Sequence, residues 1–145
     1  MVATVVVEAG GGIVLGRRAI EPGRGLWCLP GGFVNHDEGP AQAAVRECRE
    51  EISAEVELIN LLGVYHVAKA NASSIVGIAY RGRIVDGSIS AGSEMLEVGV
   101  FRLDALPAIA FPSHREVLAM YGAEMLRSAS PPSPAQAEPP RSRSR

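Results

Sequence analysis

The segment Pro40 to Ile52, Pro-Ala-Gln-Ala-Ala-Val-Arg-Glu-Cys-Arg-Glu-Glu-Ile, constrains this chain more than any other. At about 100° per residue, Ala41, Val45, Cys48 and Ile52 fall on one stripe of a helix, while Glu47, Glu50 and Glu51 gather on nearly the opposite side. Gly39 serves as the N-cap, and Pro40 suits the first helical position, where its missing N–H costs nothing. A helix with one apolar stripe needs another layer to cover it. The flanking sequence supplies strands. Val2 to Val7 is mostly β-branched, and Ile13-Val14-Leu15 follows the glycine-rich turn Gly10-Gly11-Gly12. Leu26 to Leu29 precedes the turn signal Pro30-Gly31-Gly32. Glu55 to Val67, Ser74 to Val85 and Glu97 to Leu103 also read as strands, and Ser113 to Leu126 as a second helix capped by Ser113 with Glu116 three residues on. The expectation is an α/β fold.

A length of 145 residues suits one domain, and 47% hydrophobic with 21% charged residues is globular composition. From Ser128 the composition turns to Ser, Pro, Ala and Arg, ending Arg141-Ser142-Arg143-Ser144-Arg145. Such a segment has too little apolar area to offset the entropy of ordering. The expected division is therefore a folded domain over 1–127 and a disordered tail over 128–145.

Three carboxylates at i, i+3 and i+4 repel one another, so an acidic ridge of this kind calls for compensation. Arg46 and Arg49 offset part of the charge, and a helix face rich in Glu and Arg is commonly just a solvated surface. A hard divalent cation with oxygen ligands would use the cluster directly, and Mg2+ or Mn2+ suits carboxylates better than zinc does.

The surrounding spacing separates these alternatives. After Leu29-Pro30-Gly31 come Gly32, five residues, Glu38, seven residues, then Arg46-Glu47-Cys48-Arg49-Glu50-Glu51. This resembles the Nudix box, G-x5-E-x7-R-E-U-x-E-E-x-G-U, where U is a bulky apolar residue. Six fixed residues agree over the twenty positions from Gly32 to Glu51. Cys48 and Ala54 stand at the U positions, and Ser53 stands where the pattern has its second glycine. A buried thiol packs as a small hydrophobe. A serine forced into a left-handed conformation costs about 1 kcal/mol more than glycine, which touches stability or loop shape and leaves the carboxylates in place.

The resemblance implies an α/β/α sandwich with a central mixed sheet and a loop-helix-loop motif. It implies an enzyme, a Mg2+- or Mn2+-dependent pyrophosphatase that hydrolyses a nucleoside diphosphate linked to another moiety. By analogy with the box, Glu47, Glu50 and Glu51 hold the metals, with the carbonyl of Gly31 as a further ligand. Arg46 orients the glutamates and Glu38 fixes the loop on the helix. The catalytic base is one of the box glutamates or comes from a later loop, where Glu94 is favoured over Glu97. Members of the family are often dimers, so a homodimer is also implied.

Outside the box, Arg17-Arg18-Ala19-Ile20-Glu21-Pro22, Gly25-Leu26-Trp27, Glu94 to Val98, Leu106-Pro107 and Ala110-Phe111-Pro112 are similar to the branch that cleaves FAD or ADP-ribose, which implies a substrate of the ADP-ribose, FAD or NADH type and release of AMP. Members of that branch often carry a zinc ribbon, and none is expected here because Cys28 and Cys48 are the only cysteines. The alternatives are a housecleaning nucleoside triphosphate pyrophosphatase and a non-catalytic nucleotide-sensing module. Arg17 or Arg18 is a candidate for a substrate phosphate, and since neighbours on a strand point to opposite faces, only one of them serves. Trp27 either stacks on a base or flavin ring or anchors its loop in the core. Tyr65, Tyr80 and Phe111 are weaker stacking candidates, and His36, His66 and His114 show no ligand spacing.

A net charge of -2 provides no broad positive field for a nucleic-acid backbone. No leader or membrane span is read from the sequence, and two cysteines are too few for a disulfide framework. The expected setting is cytoplasmic, with a nucleotide-derived small molecule as the partner.

Overall fold

The computed structural model describes residues 1–68 and 73–129. Its elements are β1 (Val2–Ala9), β2 (Gly12–Arg18), β3 (Trp27–Cys28), β4 (Gly31–Phe33), α1 (Pro40–Ile52), β5 (Glu55–Ala68), β6 (Ser74–Asp86), β7 (Met95–Phe101) and α2 (Pro112–Ala129). The strands run in the order β3-β2-β1-β6-β5, with β4 also paired to β1 and β7 to β2. β1 and β6 are parallel, from Val2 opposite Gly77 to Glu8 opposite Arg83. Every other strand pairing is antiparallel, which makes the sheet mixed.

The central strands β1 and β2 are mainly apolar on both sides because both faces of the sheet are covered. On β1, Ala3, Val5 and Val7 pack with Ala43, Ala44, Cys48 and Ile52 of α1, while Val6 faces the other way into a cluster with Val117, Leu118 and Tyr121 of α2. β2 repeats the alternation, with Val14 on the α1 side and Ile13 and Leu15 on the α2 side. Burying each such side chain is worth about 1.5–3 kcal/mol, so the two helices are clamped to opposite faces and the α/β/α layering follows. Cys48 and Ala54, the two departures at apolar box positions, are both buried in the α1 cluster.

Several boundaries differ from expectation: β7 is Met95–Phe101, two residues earlier than expected, and three other differences bear on the site. Gly31–Phe33 is a strand rather than part of a turn, paired with β1 through Thr4, Ala3 and Val2. Glycine is needed there, since a side chain on Gly31 would overlap the carbonyl oxygen of Ala3. The second helix starts at Pro112, which places Ser113 inside its first turn rather than at its cap. It also runs to Ala129, so positions 128 and 129 are helical; the rest of the expected tail, 130–145, lies outside the described residues.

Candidate active site

α1 is capped by Gly39, whose N–H donates to the Gln42 side chain at 2.7 Å. Arg46 lies two turns in and ties the motif together. Its Nε and Nη2 hold the two oxygens of Glu38 at 3.0 and 2.6 Å, and Nη2 also donates to the Phe33 carbonyl at 3.1 Å. Its Nη1 reaches Glu47 at 3.0 Å and both oxygens of Glu50 at 3.2 Å. Glu38 in turn accepts the Asn35 N–H at 3.0 Å. The bonds from Arg46, and then that from Asn35, hold the Glu38 carboxyl below its usual range. One guanidinium thus binds the incoming loop to the helix and aims two glutamates.

The C-terminus of α1 positions the rest of the acidic group. Ser53 takes the left-handed conformation, φ 60° and ψ 26°, and its N–H returns to the Arg49 carbonyl at 3.2 Å. The unpaired carbonyls of the last turn are then met by a later loop, from Ser90 to Ile52 and from Gly92 to Glu51, both at 3.0 Å. A side chain at Gly92 would overlap the Glu50 carbonyl, so only glycine permits this approach. The loop carries Glu94 to the helix and is held from the other side by the Ala19 N–H on the Glu94 carbonyl, 2.9 Å. Glu47, Glu50, Glu51, Ser93 and Glu94 line one cavity of about 370 Å³. Glu97, the other candidate for a late-loop carboxylate, is elsewhere, paired with Arg17 across the β2–β7 ladder at 3.1 Å.

Glu51 is half-buried among these carboxyls. Loss of solvent, and then the neighbouring Glu47, push it up to about 9 against the single helping bond from the Gly31 N–H, 3.3 Å. The donor set therefore suits a hard cation: four carboxylates around one cavity, one of them kept neutral by burial and repulsion in the absence of positive charge. Among the described residues, no three His, Cys, Asp or Glu side chains stand in ready-made ligand geometry. The reason is visible in the bonds above, because Arg46 occupies Glu47 and Glu50. Gly31 lies on β4 and meets Glu51 through its N–H rather than its carbonyl.

A second cavity, about 350 Å³, shares Glu51 with the acidic cavity and extends between β1, β5 and the start of α2. Its walls are mainly apolar, including Leu29, Phe33, Val67 and Ile75. Arg18 enters it with its guanidinium 4.8 Å from the centre of the Phe111 ring, and its Nε is held by the Pro22 carbonyl at 2.7 Å. The hydroxyls of Thr4 and Tyr65 meet at 2.5 Å in its floor. The Tyr65 ring can lie there because Gly77 leaves it room.

His114 closes this cavity. Its Nδ1 accepts the Leu29 N–H at 3.1 Å, and its ring meets Phe111 edge-on with centroids 5.0 Å apart. Burial, and then the charge of Arg18, lower the imidazole to about 4, so at neutral pH it is uncharged with its proton on Nε2.

Of the substrate candidates, the structure brings Arg18 to the site and not Arg17, as opposite faces of a strand require. Trp27 packs edge-on against Phe101 at 4.8 Å, in the cluster under α2, and does not line either cavity. Tyr65 and Phe111 line the second cavity; Tyr80 packs in the α1 core, and His36 and His66 are exposed. Thr4, Gly92 and His114 belong to the site without having been singled out for it. A lone histidine has no local pattern to betray its partner, and that of His114 lies 85 positions away.

Comparison with known proteins agrees with this geometry. A family model described as the NUDIX domain matches residues 1–121. An ADP-ribose pyrophosphatase of Methanocaldococcus jannaschii is 32% identical over 117 residues, 80% of this chain and 69% of that protein. A MutT-like protein of Streptomyces ambofaciens is 37% identical over 97 residues, 67% of this chain but only 59% of the relative. Among solved structures, a NUDIX hydrolase from Nitrosomonas europaea superposes with a TM-score of 0.78 at 34% identity, over 87% of this chain and 71% of that one. By its family model, its layered mixed sheet and the helix that carries the acidic box, the chain belongs to the Nudix hydrolase family.

Proposed function

We propose that the protein is a Mg2+- or Mn2+-dependent pyrophosphatase that splits the diphosphate of a nucleoside diphosphate linked to another moiety, of the ADP-ribose, FAD or NADH type, releasing AMP. The observation that carries this reading is the convergence of Glu47, Glu50, Glu51 and Glu94 on one cavity, next to an apolar cavity large enough for an organic group. Nudix hydrolases generally use divalent metal ions, and here Glu47, Glu50 and Glu51, with the Gly31 carbonyl, would hold them. Bound there, divalent cations would neutralise charge on the diphosphate and lower the pKa of a water for in-line attack on phosphorus without a covalent intermediate.

The chain's own residues do the remainder. Arg46, fixed by Glu38, sets the directions of Glu47 and Glu50. Glu94, which lines the same cavity on the glycine-dependent loop, would accept the proton of the attacking water at its carboxylate. Arg18 supplies the one guanidinium at the mouth of the neighbouring cavity. The similarity to an ADP-ribose pyrophosphatase supports this substrate type.

Incubation with ADP-ribose, FAD, NADH and nucleoside triphosphates plus Mg2+ tests the reading. AMP is the expected product from the first three. Turnover of triphosphates alone, with release of inorganic pyrophosphate, replaces it by the housecleaning activity, and no turnover of any substrate removes it. A sensing module would not require the full set of box carboxylates, all of which are present here. The same proposal takes 1–127 as the catalytic domain, a homodimer as the solution form and the cytoplasm as its setting; no helix among the described residues is long and apolar enough to cross a membrane.

A further inference from the structure

We propose that a groove along α2, remote from the acidic site, binds a small amphiphilic anion, an unbranched alkyl chain ending in a carboxylate. The groove encloses about 600 Å³ between α2 and the segment 103–109. Sites for small molecules span roughly 300–1,000 Å³. It shares no lining residue with the acidic cavity or with the one beside Glu51, so the proposal stands apart from the pyrophosphatase reading.

The lining sets the chemistry of the ligand. Leu106, Ile109, Leu118 and Ala119 are typical of its walls, and Arg115 is the one polar side chain in it. A sugar or a peptide strand would bury polar groups there without partners, whereas an alkyl chain gains from every methylene it buries. Arg115 supplies the charge. Its Nη1 donates to the Ile109 carbonyl at 3.1 Å, which fixes the guanidinium at the groove wall, and it pairs with no carboxylate among the described residues. Nε and Nη2 remain for an anion. α2 begins at Pro112, so Arg115 stands in its first turn, where the positive end of the helix favours the same charge. Gly122 supplies the room. Glycine inside a helix costs stability relative to alanine, yet no neighbour requires it here, since a side chain would meet nothing within 4 Å. The open space it leaves is part of the groove, about two turns and about 10 Å from Arg115. An extended chain of eight carbons spans that distance.

The test titrates octanoate into the full chain by calorimetry, with butyrate and octylammonium as the short and the oppositely charged controls. Buffer free of divalent cations leaves the acidic site nothing to draw a carboxylate. Emission of Trp27 is read in parallel. It is the only tryptophan, and its backbone holds the groove wall from behind, through the Ala108 carbonyl at 3.0 Å and the Ala110 N–H at 2.7 Å.

Octanoate is expected to bind at one site and to change the Trp27 emission, butyrate to bind more than tenfold more weakly for want of buried methylenes, and octylammonium not to bind. Arg115→Met is expected to lose about tenfold or more in octanoate affinity, the worth of a charged hydrogen bond. Gly122→Leu fills the open end of the groove and is expected to abolish binding with its melting temperature kept. No saturable binding of octanoate, equal binding of octylammonium, or binding that leaves the Trp27 emission unchanged overturns the proposal without any variant having to fold. Wild-type affinity in Arg115→Met or Gly122→Leu overturns it as well. A fall in the solution mass of Gly122→Leu without octanoate gives the groove to a second copy of the chain, and that also overturns it. Failure of the catalytic reading is distinct, appearing as no hydrolysis of the substrate panel while octanoate still binds.

Discussion

Ser53 occupies a backbone conformation that glycine adopts freely, the only such non-glycine among the described residues. A left-handed L-residue costs about 1–2 kcal/mol, of which glycine's extra entropy in the unfolded chain returns a part. Ser53→Gly is therefore expected to raise stability by about 0.5–1 kcal/mol, a gain of a few degrees in Tm by calorimetry, with kcat unchanged because no carboxylate moves. A lower Tm would mean that the serine side chain stabilises the turn by more than its strain. His114 gives a pH dependence. Its folded value near 4 lies below the ordinary 6.5, so between these values the unfolded chain takes a proton that the native ring refuses. Its contribution is complete above about pH 6.5 and is lost as pH falls toward 4, by about 3 kcal/mol in all. Denaturant titrations across that range should show the decline, and His114→Asn should flatten it. The two residues differ in legibility. Ser53 stands out because a spaced motif assigns its position a glycine, whereas His114 acquires its environment only when α2 docks against the strand before Gly31.

At the scale of elements, α1 was legible to the residue because its signals are local: Gly39-Pro40 at the start, an apolar stripe, and a helix-ending conformation at Ser53. β4 was not legible. Pro30-Gly31-Gly32 has the composition of a turn, and the reason for its glycines is the close approach of β1, which no local pattern announces. The loop before β7 belongs to the same class. Its Gly92 looks like ordinary turn chemistry but is there to let the chain touch the end of α1. Gly92→Ala is expected to push the loop off the helix and carry Glu94 with it. A displacement on the order of 1 Å at a reacting group costs up to about 100-fold in rate. The expected outcome is a fall in kcat of tenfold or more, with a smaller change in KM, measured on whichever diphosphate the wild type cleaves. Wild-type kcat in Gly92→Ala would show that the Glu94 loop is not needed for the chemistry.

For the whole molecule, the acidic site is where stability and activity oppose one another. Two helices and a sheet buried on both faces hold the ends of α1 and the Glu94 loop against mutual repulsion, and Glu51 has little water to shield it. The sequence displayed the three box carboxylates, but not the one sunk among the others, since burial is a property of the assembled layers. Glu51→Gln keeps an oxygen for the Gly31 N–H and removes a group whose charge the site opposes. In cation-free buffer this variant is expected to melt higher than the wild type, by roughly 1–2 kcal/mol of added stability. Added Mg2+ should reverse the order. A ligand that binds only the native state stabilises by about 2.7 kcal/mol at a hundred times its Kd, and the wild type has the carboxylate to gain this while the variant does not. Thermal melts of both proteins with and without Mg2+ give the four numbers needed. If the cation stabilises them equally, Glu51 is not a ligand, and its burial must be explained by packing alone.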